Sequence, residues 1–300
     1  MEKLKIGVIL PRVAVQHRDG IGLAEAARHA EQAGLDSVWH GDHLAAGMPS
    51  LDVTIALATA AAVTSRVVIG ASVFIPAIRP LALAAKQIAT LQYVSGGRLV
   101  LGVGSGAGPA QWAAAGVPYD RRGSRTDTAL ELLPRLLAGE ETRLPDEAGQ
   151  PVVTLEPAVA MPPVWVGNAS AVAIGRAARL GDGWFPSLIS PGELAAGKAR
   201  LAELAARRGR PAPVIAIGGA AALGSGPDVP SRREIATGMS AAYGRPLEDV
   251  MDIPLMGRPA EAAERLNAYR DAGAEHAVIG ISDGDWRAQV DLLAEVRGLL

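Results

Sequence analysis

Cysteine is absent from the 300 residues of this sequence, which excludes disulfide bridges, thiol catalysis and thiolate metal ligands. No apolar run is long enough to cross a bilayer: Ile55–Val63 is far shorter than the ~20 residues that a membrane helix needs. An excess of one charge is missing too, because 29 Lys and Arg residues face 31 Asp and Glu residues without a basic stripe. We therefore expect neither nucleic acid nor a membrane as a partner.

The sequence does contain a large apolar fraction, 49% of residues against 20% charged, which is enough to bury a sizeable core. No linker or shift in composition divides the chain, and we interpret residues 1–300 as a single domain. The first five residues, Met1–Lys5, form no apolar signal segment, so a cytoplasmic location is the expectation.

Short β-branched runs alternate with longer Ala/Leu-rich amphipathic runs along the chain. Strand followed by helix predicts parallel strands joined by crossovers. A doubly wound sheet fits this alternation as well, but eight repeats at this length favour closure into a single (β/α)8 TIM barrel. The eight predicted strands are Leu4–Leu10, Ser37–Gly41, Val67–Val73, Leu99–Val103, Val164–Gly167, Gly183–Pro186, Val214–Gly219 and His276–Ile281.

Two stretches interrupt the repeat. Arg143–Pro162 carries proline, glycine and a short strand-like run, which predicts a hairpin inserted before strand five. Ala220–Met256, with Gly224, Gly226 and Pro227 ahead of a weak helix, follows strand seven and would lie at the C-terminal face of a barrel. Loops of that length are usually lids or binding segments, and the alternative is a tolerated surface insertion.

Strand two runs into Trp39-His40-Gly41-Asp42-His43, at the end where a TIM barrel places its chemistry. His43 is the strongest candidate for proton transfer there, because histidine is the side chain that titrates near neutral pH. Alternation along the strand sets His43 and His40 on opposite faces unless the strand has already ended. A structural histidine, or a metal centre built from His40, Asp42 and His43, is the alternative.

Two further segments at strand ends are rich in small residues. Gly102–Gly108 contains a G-x-G-x-x-A pattern that imitates a dinucleotide fingerprint, but Pro109 and Gly116 are expected to delay the next helix to about Ser124. We interpret it as backbone that a flat ring can approach closely, against the alternative of an ordinary small-residue loop. Asn168-Ala169-Ser170 precedes a helix and predicts an anion site, or else an ordinary N-terminal cap.

The order of these segments is more specific than any one of them. In chain order they are Ala33–Trp39, Asp42–Leu44, Thr64–Arg66, Gly70–Val73, Ala85–Gln87, Thr90–Leu91, Ser95–Gly104, Arg122–Gly123, Pro163–Gly167, Gly181–Trp184 and Gly257–Pro259. The series resembles the luciferase-like monooxygenase superfamily, whose members use reduced flavin (FMN) or the deazaflavin coenzyme F420. The resemblance spans almost the whole chain, and the run SGGRLVLGVG is its strongest marker.

The resemblance implies that the barrel mouth holds a flavin or deazaflavin ring. It implies a non-proline cis peptide behind the ring at Ser72-Val73, and backbone contacts to the cofactor at Ser105-Gly106. The Asp-His pair of the family falls on Asp42 and His43 as the catalytic residues. The turn Asn168-Ala169-Ser170 would take the cofactor phosphate.

Several functions are consistent with this resemblance. The leading hypothesis is F420-dependent hydride transfer to or from a small organic substrate, with His43 as acid/base and Asp42 orienting it. The alternatives are an FMN-dependent monooxygenase that uses dioxygen, a cofactor-less accessory homologue, and a metal-dependent hydrolase. Similar proteins imply a homodimer. Sugar-phosphate dehydrogenases of this superfamily carry Glu where this chain has Ala107, which argues against their substrate class.

Overall fold

The β-branched runs form strands in the structure, a computed structural model that describes residues 3–45, 47–225 and 229–300. The strands, in chain order, are β1 (Lys5–Ile9), β2 (Ser37–His40), β3 (Val68–Phe74), β4 (Leu99–Val103), β5 (Thr142–Arg143), β6 (Val152–Val153), β7 (Val164–Gly167), β8 (Gly183–Phe185), β9 (Val214–Leu223), β10 (Leu255–Gly257) and β11 (His276–Ile281).

Eight of these strands close into a parallel barrel in the order β1, β2, β3, β4, β7, β8, β9 and β11. The ring is completed by the β8–β9 pairing and by β11 against β1, where Lys5 lies opposite His276. Strand β10 pairs with β9 outside this ring, and β5 with β6 forms the hairpin predicted before the fifth barrel strand. The predicted (β/α)8 barrel is confirmed.

Amphipathic helices cover the barrel, and their apolar faces pack on the outer faces of the strands to form the main core. Helix starts often follow local capping chemistry: Ser190 and Glu193, for example, cap each other reciprocally at the start of α8. The helices are α1 (Val13–Asp19), α2 (Leu23–Gln32), α3 (Val53–Val63), α4 (Leu81–Val94), α5 (Pro109–Ala115), α6 (Arg122–Leu137), α7 (Ala171–Leu180), α8 (Pro191–Ala206), α9 (Arg232–Tyr243), α10 (Leu247–Val250), α11 (Pro259–Asp271) and α12 (Trp286–Gly298).

Aromatic rings fill the barrel interior. We call this group, Trp39, Trp165, Phe185 and His276, the barrel plug. The Trp39 and Trp165 rings stack at 5.3 Å between centroids, and each lies within 6 Å of the Phe185 and His276 rings. Strand β3 makes room for this stack at Gly70, where an added Cβ would lie 2.1 Å from the Trp39 ring. The plug therefore blocks the barrel axis and leaves the C-terminal mouth as its open end.

Three details differ from the sequence-based expectations. Helix α5 begins at Pro109, directly after the glycine run, and not near Ser124; proline at the first helical position supplies a suitable φ and needs no amide partner. Helix α1 follows β1 and was not expected. In the segment after strand seven, β9 continues to Leu223 and α9, α10 and β10 follow, while Gly226 and Pro227 lie outside the described residues.

Among the described residues, no helix combines the length and the apolar character needed to cross a membrane.

Candidate active site at the C-terminal mouth of the barrel

His43 lies in the turn that follows β2, and its side chain is exposed at the mouth. A side chain at Gly41 would place its Cβ 3.0 Å from the His43 Nε2 atom and 3.4 Å from the Ser72 carbonyl oxygen. The imidazole and this carbonyl therefore converge over Gly41. Strand β2 ends at His40, so the alternation that predicted opposite faces for the two histidines does not extend to His43.

Partial burial in the mouth removes water from the His43 imidazole and lowers its pKa, although part of the ring remains accessible. The positive charge of Arg12 lowers this pKa further, and the Asp42 carboxylate acts in the opposite direction. His43 is therefore a neutral imidazole at pH 7, with a lone pair that can accept a proton.

Asp42 is buried, and its carboxylate is engaged by residues that follow β3. One oxygen accepts the Ile75 N–H at 2.9 Å, and the other accepts an Arg79 N–H at 2.9 Å. Its own N–H donates to the Val73 carbonyl at 3.2 Å. No hydrogen bond joins the carboxylate to His43 within the described part of the chain, so the expected orienting contact is absent and Asp42 acts on His43 through its charge.

Arg79 was not singled out from the sequence, although it completes this arrangement. Its side chain is 14% exposed and stacks over Phe74 at 4.4 Å, so its contact with Asp42 is largely shielded from water. Asp42 and Arg79 together fix the turn after β2 against the end of β3. The sequence offers no local signal for this pair, because the two residues are 37 positions apart.

The Ser72-Val73 peptide bond is cis, at the position that the resemblance implied. The β3–β4 register shifts between Ala71 and Phe74, which accommodates this irregularity. The Val73 side chain enters the space between the ends of β4 and β7, where a Cβ on Gly104 or Gly167 would lie 2.5 or 2.8 Å from it. Glycine at both strand ends is therefore required for Val73 to lie across the top of the barrel.

The loop after β4 carries Ser105 and Gly106 to the same mouth. The Ser105 hydroxyl accepts a hydrogen bond from Arg176 of α7 at 3.1 Å. Gly106 has a φ of +67° and lies against Ile75 and Trp112. Trp112 is fully buried in a small apolar cluster, so it packs the loop and does not line the mouth.

The predicted anion site, Asn168-Ala169-Ser170, forms the turn between β7 and α7. The Asn168 side chain accepts the Ser170 N–H at 2.8 Å, and the Ser170 hydroxyl accepts the Ala173 N–H at 3.3 Å. The N–H groups of Ala171 and Val172, in the first turn of α7, have no acceptor among the described residues. These two donors and the positive end of the helix dipole suit an anion.

His40 is the second histidine near the mouth. Its Nδ1 accepts the Gly41 N–H at 2.9 Å, which leaves the ring proton on Nε2. That Nε2 is buried and has no acceptor among the described residues. Burial lowers the pKa of His40, as does the proximity of His43, so this ring is also neutral at pH 7. No group of three or more His, Asp or Glu side chains in the described ranges is arranged to hold a metal ion.

The chain matches known proteins over most of its length. Residues 7–242 match the model of the luciferase-like monooxygenase family. The chain belongs to this family. The family resemblance is therefore confirmed.

Curated relatives of this luciferase-like chain include proteins of different activity. An uncharacterized protein of Mycobacterium tuberculosis is 34% identical over 169 residues, 56% of this chain and 58% of that protein. A 4-hydroxyprotoasukamycin monooxygenase of Streptomyces nodosus is 34% identical over 49% of this chain and 41% of its own length. An F420-dependent glucose-6-phosphate dehydrogenase of Beutenbergia cavernae is 35% identical over 52% and 49%. The chain thus spans roughly half the length of the curated relatives it matches.

Solved structures share the fold over the whole chain. An F420-dependent secondary alcohol dehydrogenase superposes with a TM-score of 0.79 at 18% identity, covering 98% of both chains. The monooxygenase RslO1 of Streptomyces bottropensis superposes with a TM-score of 0.77 at 19% identity, covering 97% of this chain and 98% of its own. At these identities the likeness establishes the barrel alone.

Proposed function

We propose that the chain is an oxidoreductase that transfers a hydride between coenzyme F420 and a small organic substrate, with His43 as acid/base. The observation that carries this proposal is the placement of His43: a neutral, accessible imidazole that lies against Gly41, beside the Ser72 carbonyl, at the open end of a plugged barrel. Reduction of a carbonyl to an alcohol takes up a proton as well as a hydride, and a group next to the substrate oxygen is needed to supply that proton.

The residues at the mouth fit a planar cofactor. Gly104 and Gly167 leave room for the Val73 side chain between the ends of β4 and β7, and this apolar side chain suits the face of a ring. The free N–H groups of Ala171 and Val172 would hold the phosphate. When bound, the deazaflavin supplies two-electron hydride chemistry. The residues of the mouth would then position the ring, exclude water beneath it and transfer one proton.

His43 would handle that proton. In the oxidation of an alcohol it would accept the hydroxyl proton on its neutral ring, and in the reverse direction it would return the proton to the forming alkoxide. Its lowered pKa keeps the ring ready to accept a proton at pH 7. Asp42, held by Arg79 and Ile75, would favour the protonated ring by its charge as the proton arrives.

The F420-dependent relatives support F420 as the cofactor. F420-dependent glucose-6-phosphate dehydrogenases are 33–37% identical over about half of this chain. The family resemblance places Ala107 at the position where sugar-phosphate dehydrogenases of the superfamily are expected to carry a glutamate. We therefore propose a small alcohol, carbonyl, imine or activated alkene as the substrate, and not a sugar phosphate.

An FMN-dependent monooxygenase is the second candidate, and the 34% identity to 4-hydroxyprotoasukamycin monooxygenase favours it. FMN carries a similar ring and a phosphate, so the mouth and the first turn of α7 could also accept it. In that enzyme His43 would act as a base beside dioxygen chemistry.

An absorbance titration with F420 and with FMN, oxidised and reduced, tests the choice. We expect F420 to bind at micromolar concentration and FMN to bind at least tenfold more weakly, and substrate turnover to be independent of dioxygen. Tighter binding of reduced FMN with substrate-linked oxygen consumption would instead establish the second candidate. Failure of both cofactors to bind would contradict both.

We also propose that the single domain, residues 1–300, assembles as a homodimer. The outer face of α3 carries Ile55 with 69% of its surface exposed, and α4 carries Leu83 and Val94 at 49% and 48%. Light scattering should report twice the 30.8 kDa chain mass, and Ile55→Lys should shift it toward one chain. A monomeric wild-type protein would contradict the assembly.

A further inference from the structure

A hollow of about 250 Å³ lies on the outer surface of the barrel, beside the first turn of α7. It is lined by two arginines of α7, Arg176 and Arg179, and by Arg208 from the turn after α8. The remaining lining residues are Asp127 of α6 and Val172 and Gly175 of α7. Three guanidinium groups therefore face one carboxylate.

The charges in the hollow are not balanced. A single Asp127 oxygen accepts Arg176 at 2.7 Å and Arg179 at 2.8 Å. Arg208 donates to the Leu204 carbonyl and has no carboxylate partner in the described ranges. Two arginines share one negative charge and the third has none, so the hollow carries an excess of positive charge that would attract an anion.

The hollow adjoins the proposed phosphate site through Val172. Val172 lines it, and the N–H of Val172 is one of the two unpaired donors at the start of α7. Arg176, with 9% of its side chain exposed, reaches from the hollow to the Ser105 hydroxyl at the mouth and to the Gly123 carbonyl. A cofactor whose phosphate lies at the start of α7 would therefore place any group beyond that phosphate beside the arginines.

We propose that this hollow binds an acidic chain that continues beyond the phosphate of the cofactor. The inference rests on the proposed function, since it requires the phosphate to lie at the start of α7. It also separates the two candidate cofactors. FMN ends at its phosphate, whereas F420 continues through its phosphate into a chain of glutamates, and those carboxylates would lie among Arg176, Arg179 and Arg208.

The test compares F420 carrying several glutamates with the form that carries none, by titration at low salt. The wild-type protein should bind the glutamate-bearing form severalfold more tightly, and the difference should shrink at 0.5 M salt, because salt screens exposed charges. Arg179→Ala and Arg208→Ala should each weaken binding of the glutamate-bearing form by roughly threefold, the scale of one exposed ion pair. Both variants should leave binding of the glutamate-free form unchanged.

Arg207→Ala is the matched control. Arg207 adjoins Arg208, is exposed and pairs with Glu203, and it does not line the hollow. It should bind both forms as the wild-type protein does. If wild type and variants bind the two forms with equal affinity, the hollow has no such role while F420 use stands. If no form of F420 binds, the proposed function fails, and this inference fails with it.

Discussion

His276 of the barrel plug and His43 of the mouth have opposite environments. His276 is 4% exposed, its Nε2 lies 2.7 Å from the Ser37 hydroxyl, and the Trp39 indole N–H donates to that same hydroxyl. His43 is exposed, and its ring has no hydrogen-bond partner in the part of the chain that the structure describes. Burial with a partner makes His276 structural, whereas exposure without one leaves His43 available to a ligand.

The largest effect should come from removing the imidazole at the mouth. We expect His43→Ala to lower kcat/KM with an accepted substrate by about 10²–10⁴, the usual contribution of a general acid or base. The free energy of unfolding should change by less than about 0.5 kcal/mol, because the side chain is exposed. His17→Ala, an exposed histidine on α1, is the control and should retain full activity. Unchanged turnover of His43→Ala would remove its assigned role.

The plug should show the reverse behaviour. Trp39→Ala removes a fully buried ring that stacks on Trp165 and bonds Ser37, and should lower the free energy of unfolding by about 3–5 kcal/mol. Urea unfolding checks this value. A loss below about 1 kcal/mol would mean that the barrel interior is not packed as described.

The structural features of the barrel and of the mouth differ in how far they can be predicted from the sequence. The strands and the strand-end position of His43 follow from β-branched runs and from the rule that barrel chemistry lies at strand ends. The Ser72-Val73 cis bond follows from the family resemblance alone. The short helices α1 and α5 have seven residues each and no side-chain cap, so no periodic signal marks them.

The contacts that support the site could not be predicted from one sequence. Asp42 with Arg79 and Ser105 with Arg176 are 37 and 71 residues apart, and arginine at these positions has no local pattern that names its partner. The sequence therefore predicts which strand ends meet. Which side chains bond to one another across those ends is known only from the structure.

The stability of the protein should depend on pH through His276 of the plug. Burial lowers the pKa of His276 to about 4 from an ordinary value of 6.5. Above pH 6.5 the ring is neutral in both states; between pH 6.5 and 4 the unfolded chain binds a proton that the folded chain does not. Stability should therefore fall as the pH drops through this window, by at most roughly 3 kcal/mol.

His276→Gln isolates this contribution. The variant is expected to be less stable at pH 7 but to lose less stability than the wild type between pH 6.5 and 4, as measured by urea unfolding at each pH. Parallel pH profiles for the two proteins would show that His276 is not the buried neutral group.

The smallest change should come from the support of the mouth. Arg79→Ala leaves the Asp42 carboxylate buried with the Ile75 N–H as its remaining hydrogen-bond donor, and should cost about 1–3 kcal/mol of stability. Activity should fall as well, because the turn carrying His43 loses one of the three hydrogen bonds that Asp42 makes with Val73, Ile75 and Arg79. Arg79→Lys keeps the charge and should recover part of both losses, whereas equal losses in the two variants would argue against an ion pair.

NMR of the histidine side chains during addition of F420 to the intact protein tests whether the cofactor ring binds beside His43. With each of the five histidines assigned by substitution, saturating F420 should shift the His43 ring signals and leave those of His276 unchanged, because the proposed site of the ring is the mouth and the plug separates it from His276. A shift at His276 without one at His43 would place the ligand elsewhere and contradict the account.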